Sequence, residues 1–193
     1  MKTLFIGDIV GRKARNFVIE KIKEFKKGKY FDLIIVNVEN SAGGFGVTPE
    51  ICDQFLLNGA DVLTSGNHIW DKKEIISYIN ETNKLLRPMN MVEGTPGLGI
   101  TIIDTSFGKV GVANVMTNLF MPKSNPVFEL LNHIKLKFNS NENLCFSLVD
   151  VHGEATSEKL AIGHLLDGHV SAVVGTHTHI PTSDHRVLEN GTA

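Results

Sequence analysis

The sequence predicts an α/β fold built on parallel strands. Five short apolar runs carry that reading. They are Leu4-Phe5-Ile6 before Gly7-Asp8, Leu33 to Val38 before Glu39-Asn40, and Val62 to Gly66 before Asn67-His68. The others are Leu148-Val149-Asp150-Val151 before His152, and Ala172 to Thr176 before His177-Thr178-His179. Runs of this length, bounded by glycine and polar clusters, suit buried parallel strands. Each also stops at a residue type that binds metals. In open α/β sheets the ligand site lies outside the carboxyl ends of the strands. The five stops are therefore expected on one rim, carrying two carboxylates, two carboxamides and four imidazoles.

The elements follow in order. Arg12 to Lys27 sets Phe17, Val18, Ile22 and Phe25 at helical spacing. Thr48-Pro49-Glu50 is a helix start, with Thr48 as cap and Pro49 at the first helical position, and Asn58-Gly59 closes that helix. Asp71 to Asn80 reads as a third helix. Gly99 to Asp104 and Lys109 to Val115 form an expected antiparallel hairpin across Thr105 to Gly108. Asn125-Pro126 opens a helix running to about Phe138, and a polar loop, Asn139 to Asn143, precedes the Leu144 strand. Glu154 to Leu166 is a helix ending near Gly168. Arg186-Val187-Leu188 is strand-like, and Asn190-Gly191 is a hairpin turn signal. A returning strand is expected after it, but the sequence stops at Ala193, so the chain is expected to be cut short of a natural terminus. There is no repeat and no long linker, and 193 residues fit one domain spanning 1–193.

Composition narrows the function. The formal charge is −2, which gives no basic field for duplex nucleic acid. The basic stretch Lys21 to Lys29 interleaves with glutamate and reads as a solvated helix face. No apolar run approaches the ~20 residues of a membrane span, and the N-terminus lacks a signal-peptide pattern. Cys52 and Cys145 lack metal or redox spacing and read as two buried free thiols of a cytoplasmic protein.

Taken alone, the clusters differ in weight. Asp8 reads first as a helix cap or turn residue. Glu39-Asn40 needs partners, since burying a lone carboxylate is costly, but it could cap the Ser41 to Gly46 loop. That loop lacks the phosphate-loop order and reads as flexible, at a site mouth. Asn67 offers a neutral oxygen to a metal, and His68 beside it is either a ligand or a general acid. On an extended strand end, His177 and His179 would point the same way and reach one metal or two neighbouring ones. His133, His164, His169 and His185 read as surface residues. Trp70 reads as core or loop anchor, with base stacking as the functional alternative.

Together these motifs resemble the calcineurin-like metallophosphoesterase superfamily, and within it the YmdB-like branch of bacterial cyclic-nucleotide phosphodiesterases. The resemblance rests on Phe5 to Gly11, Gly66-Asn67-His68-Ile69-Trp70-Asp71, His152-Gly153-Glu154-Ala155-Thr156-Ser157-Glu158-Lys159 and Gly175 to His179. It covers the whole chain. It implies an α/β, four-layer αββα sandwich with mixed sheets and two bound metal ions. By that match Asp8, Glu39, Asn40 and His179 hold one ion. Glu39, Asn67, His152 and His177 hold the other, Glu39 bridges, and His68 is the proton donor. Val10 stands where the wider superfamily has a metal-binding histidine. Ile69 stands where it has an acidic partner for the catalytic histidine, which leaves Asp71 as the candidate to orient His68. Family members extend beyond Ala193.

The expected chemistry is hydrolysis by a hydroxide held between two cations ~3.5–4 Å apart, with His68 protonating the leaving oxygen. Donors of oxygen and nitrogen type suit iron, manganese or zinc. The expected substrate is a small nucleotide phosphodiester, 2′,3′-cyclic nucleotides among them, and a homo-oligomer is compatible. The alternatives are a phosphomonoesterase of nucleotide or protein substrates and a regulatory binding protein with vestigial activity. None of the five clusters contains Arg or Lys, and Lys159, Lys72 and Lys73 look remote. Diesters are therefore expected over the more charged monoesters, by at least about 10-fold in kcat/KM, or ~1.4 kcal/mol.

Overall fold

A computed structural model describes all 193 residues. The chain has a mixed α/β fold with two sheets and five helices, resolved into two compact units. The first comprises residues 1–87 with 96–98, the second residues 88–95 with 99–193.

In the first unit β1 (Thr3–Ile6), β2 (Leu33–Asn37) and β3 (Val62–Thr64) pair in that order, parallel throughout. Every residue of β2 is buried, which is why Leu33 to Val36 is apolar without alternation. Helices α1 (Gly11–Lys27), α2 (Pro49–Leu57) and α3 (Ile75–Glu81) supply Ile22, Phe55, Ile75 and Ile79 to the core. Thr48 and Pro49 start α2 as expected, and Asn58 caps its end before Gly59 at φ +113°. α3 begins four residues later than its sequence suggests, because residues 66–74 form turns closed by Ile69 N–H to Gly66 O and Asp71 N–H to His68 O. Beyond β3 the sheet continues through Leu85 and Leu86, with Leu63 N–H bonded to Lys84 O at 2.7 Å.

The second unit is a mixed sheet of β4 (Ile100–Thr105), β5 (Gly108–Met116), β6 (Leu144–His152) and β7 (Ala172–Thr176). The expected hairpin is β4–β5, while β5–β6 and β6–β7 are parallel. Helix α4 (Val127–Asn139) packs on β5 and β6, and α5 (Thr156–Leu165) lies beside it. Asn118 Oδ1, rather than Asn125, accepts the first N–H of α4. At Gly111 a β-carbon would stand 2.5 Å from the Phe138 ring, so this strand position must be glycine for α4 to sit down.

Three expectations need correction. The five strand ends do not share one sheet rim: three belong to the first sheet and two to the second, because apolar runs do not encode which sheet a strand joins. No strand forms over Arg186 to Leu188. The Asn190-Gly191 turn is present, closed by Leu188 N–H to Thr192 O. It returns Ala193 against β7, where Ala193 bonds Ser171 O and Val173 N–H. Both cysteines are free, but only Cys52 is buried, and burial pushes its thiol pKa up. Cys145 is exposed.

Candidate metal centre

The parallel register of the first sheet brings the ends of β1, β2 and β3 to one edge, and with them Asp8, Glu39-Asn40 and Asn67-His68. The strands are joined there by Ile9 N–H to Asn37 O and Val38 N–H to Thr64 O. Glu39 is fully buried. Its backbone N–H is held by Asn37 Oδ1 at 3.1 Å, and its Oε1 accepts the His68 backbone N–H at 2.8 Å. Asn40 is 4% exposed. Its Nδ2 donates to Gly44 O at 2.9 Å, and its Oδ1 is buried with no hydrogen-bond partner.

That orphaned amide oxygen tests the fit of a metal directly. A buried acceptor left unsatisfied costs about 1–3 kcal/mol, and a cation is the partner that a fixed carbonyl oxygen beside a buried carboxylate suits. The residues fit.

His68 Nδ1 lies 2.8 Å from Asp71 Oδ2. A carboxylate only accepts, so Nδ1 carries the proton of that bond, and Nε2 is left to hold or give a second one. Asp71 is thus the residue that orients His68. The Ser41 to Gly46 loop is a set of closed turns: Gly44 N–H to Asn40 O, Ala42 N–H to Gly46 O, and glycines 43, 44 and 46 all at positive φ. It carries Phe45 to the His68 ring, centroid to centroid 4.8 Å and edge-on. Arg15 fastens the turn from α1, donating from its guanidinium to Ser41 O at 2.9 Å. Burial, with Arg12 nearby, lowers the Arg15 pKa from its ordinary value. Trp70 is half-buried.

In the second unit Met116, His152 and Thr176 stand in register at the ends of β5, β6 and β7. His152 is fully buried. Its Nδ1 lies 3.0 Å from Thr176 Oγ1, which donates to Asp150 Oδ1 at 2.6 Å. A hydroxyl has one proton, so Thr176 must accept from His152 Nδ1–H. The chain Asp150–Thr176–His152 therefore fixes the tautomer that leaves a lone pair on His152 Nε2, the arrangement that supports a metal-binding imidazole. His177 Nδ1 is 3.1 Å from that Nε2. Two nitrogens side by side on one cation, each at about 2.1 Å, stand roughly 3 Å apart.

The route by which His177 and His179 leave β7 differs from the extended strand end their spacing suggests. β7 stops at Thr176, and the two histidines have φ +94° and +54°. Left-handed backbone at two non-glycine residues is strain, which persists where the surroundings impose it. Sequence reading also placed Lys159 too far off. Its side chain crosses Gly175, where a β-carbon would meet Lys159 Cδ at 3.0 Å, and its ammonium reaches Thr178 Oγ1 at 3.4 Å. Glu154 Oε2 lies 3.4 Å from His177 Nε2. Asp150, Thr176 and Glu154 were missed as site residues, and the one signal for them was an acid two positions before His152 in an apolar strand. His133, His164, His169 and His185 are exposed, as expected.

The Thr176 chain yields a first prediction. Thr176→Val keeps the volume but removes both hydrogen bonds. Metal affinity should fall about 10–100-fold, as for other outer-sphere partners, in titrations followed by metal analysis. Unchanged affinity would show that Thr176 does not set the His152 tautomer.

Comparison with known proteins adds the following. A family model described as YmdB-like protein matches residues 4–193. A Bacillus subtilis (strain 168) protein described as 2′,3′-cyclic-nucleotide 2′-phosphodiesterase is 43% identical over 193 residues, covering 100% of this chain and 72% of that protein. A crystal structure of a hypothetical protein from Thermus thermophilus is 36% identical with TM-score 0.90, over 100% of this chain and 73% of that one. The crystal structure of a novel phosphatase from Mycoplasma pneumoniae is 30% identical with TM-score 0.88, over 100% of this chain and 69% of that one.

Proposed function

The chain belongs to the YmdB-like family of metallophosphoesterases, and on that premise we propose that this hydrolytic phosphoesterase cleaves phosphodiesters, with 2′,3′-cyclic nucleotides as substrates. The observation that carries the reading is the pairing of His68 with Asp71 on the same loop whose backbone N–H holds buried Glu39. It supports a proton donor set beside a metal ligand. The nucleotide preference follows the name of the Bacillus subtilis relative.

In this reading residues 1–193 act as one metallophosphoesterase domain. Asp8, Glu39, Asn40 and His179 would hold one cation, and Glu39, Asn67, His152 and His177 a second, with Glu39 shared. Bound there, iron, manganese or zinc would polarise the phosphoryl oxygens and bring the pKa of a water toward neutrality. His68, protonated on both nitrogens, gives its Nε2 proton to the leaving ribose oxygen while Asp71 keeps Nδ1–H in place. One water oxygen is added to phosphorus, the P–O2′ bond breaks, O2′ takes the proton, and a 3′-phosphomonoester leaves. No helix is long and apolar enough to cross a membrane, and we place the enzyme in the cytoplasm.

A phosphomonoesterase is the second reading, favoured by the Lys159 ammonium at Thr178, the residue between His177 and His179 in the chain, a cation that could take the extra charge of a monoester. One half-buried ammonium is not the paired, bidentate clamp that guanidinium groups give a dianion. The test is kcat/KM on a 2′,3′-cyclic nucleotide and on the matching 3′-monophosphate at equal metal loading. The diester should lead by at least about 10-fold, which asks for ~1.4 kcal/mol of differential transition-state binding. Equal rates, or a faster monoester, would favour the phosphatase reading.

A further inference from the structure

We propose that Phe45 is the platform on which the substrate's nucleobase stacks, and so the residue that makes this site prefer nucleotides to other phosphodiesters. The inference rests on the phosphodiesterase reading above and goes one step further, to the part of the substrate that does not react.

Three observations converge on Phe45. Phe45 is 57% exposed, although its loop leaves directly from the candidate ligands Glu39 and Asn40. It is not carried on a loose tip. Gly44 N–H to Asn40 O at 3.2 Å, Asn40 Nδ2 to Gly44 O at 2.9 Å and Ala42 N–H to Gly46 O at 3.0 Å close the turns on either side of it. Gly46 has φ +75°, and a β-carbon there would lie 3.1–3.2 Å from Lys72, Asp71 and the His68 carbonyl, so the loop is seated against the His68 turn. The ring centroid is 4.8 Å from that of His68, at an interplanar angle of 61°. An exposed aromatic held rigidly is pre-organised for stacking, since little freedom is lost on binding.

The chemistry of the substrate supplies the rest. If His68 protonates the 2′ oxygen, that oxygen is on the carbon next to the one bearing the base. The base must then lie within a few bond lengths of the His68 ring. Phe45 touches that ring edge-on and keeps an exposed surface for a flat partner. Trp70, which the sequence offered for the same role, is half-buried. Stacking tolerates any base, because every base has a π-face. The platform therefore selects nucleotides as a class.

The test compares 2′,3′-cyclic AMP with glycerol 1,2-cyclic phosphate, which has the same kind of reacting diester and no base. Phe45→Leu keeps apolar bulk against His68 but has no π-face, and Phe45→Trp enlarges it. For the nucleotide, kcat/KM of Phe45→Leu should fall about 5- to 150-fold, the stacking contribution of one base, mainly through KM. Glycerol 1,2-cyclic phosphate should be within about twofold of the parent, and the tryptophan variant should retain the nucleotide rate. Binding of adenosine 3′-monophosphate by calorimetry should weaken in parallel. An equal fall for both substrates would overturn the proposal and make Phe45 a packing partner of His68 only, as would no fall for either. A parent enzyme that hydrolyses base-free esters but no cyclic nucleotide would overturn the substrate reading and this inference together. A parent that prefers cyclic nucleotides, with that preference intact in Phe45→Leu, would overturn this inference alone.

Discussion

Replacing His68 with alanine should leave bound metal unchanged and lower kcat on cyclic nucleotides by roughly 10²–10⁴-fold, the usual contribution of a positioned general acid. The structure separates the two jobs of this residue. Its backbone N–H serves Glu39, at 2.8 Å from Oε1, and alanine keeps that group. Its ring is bound to Asp71, not to Glu39 or Asn40. The alanine variant thus loses the proton donor and keeps the support of the buried carboxylate. The leaving group makes the assignment sharper. A ribose hydroxyl is a poor leaving group until protonated, whereas p-nitrophenolate departs as the anion. The deficit of the variant should therefore shrink on bis-p-nitrophenyl phosphate. Metal analysis of the purified variant is the control, and loss of metal would make His68 a ligand. An equal deficit on both substrates, with metal retained, would leave it a role other than acid.

Much of the architecture could be read from the chain because each strand is buried. Leu33 to Asn37 has no exposed residue, and its first four side chains, Leu33 to Val36, make an unbroken and visible apolar run. The same burial hides topology. Val62 to Thr64 and Ala172 to Thr176 look alike as sequences, yet they belong to different sheets. α3 was anticipated too early because Asp71-Lys72-Lys73-Glu74 has the composition of a first helical turn, while Asp71 is spent on His68 instead. The candidate ligands were legible because strand ends repeat one pattern. Their supports were less so. Asp71 could be suspected from its place three residues after His68. Thr176 could not, since a threonine at a strand end has many uses, and its role exists only through the β6–β7 register. Lys159 was misjudged because its distance from His152 along the chain says nothing of a side chain that crosses Gly175 to Thr178. The left-handed backbone at His177 and His179 has no sequence signal at all.

Glu39→Gln should separate metal binding from folding. Glutamine keeps an Oε1 that can accept the His68 N–H, so the loop keeps its hydrogen bond and only the charge is removed. Glu39 is completely buried, so its charge is costly to take out of water. A carboxylate in that position is stabilised chiefly by a counter-charge. With metal stripped by a chelator, the glutamine variant should therefore unfold at the same temperature as the parent or higher. With metal added, the order should invert, because a ligand that binds the folded state raises its stability in proportion to RT ln(1 + [L]/Kd). Metal affinity should fall by at least about 100-fold, beyond the 10- to 100-fold typical of outer-sphere partners, and turnover should fall with occupancy. If Glu39 is shared by two cations, metal analysis should show both sites weakened together. Loss of one equivalent with the other held at parent affinity would make Glu39 a ligand of a single site. Full occupancy with unchanged turnover would remove it from the metal centre, and would leave its burial beside His68 as a purely structural feature.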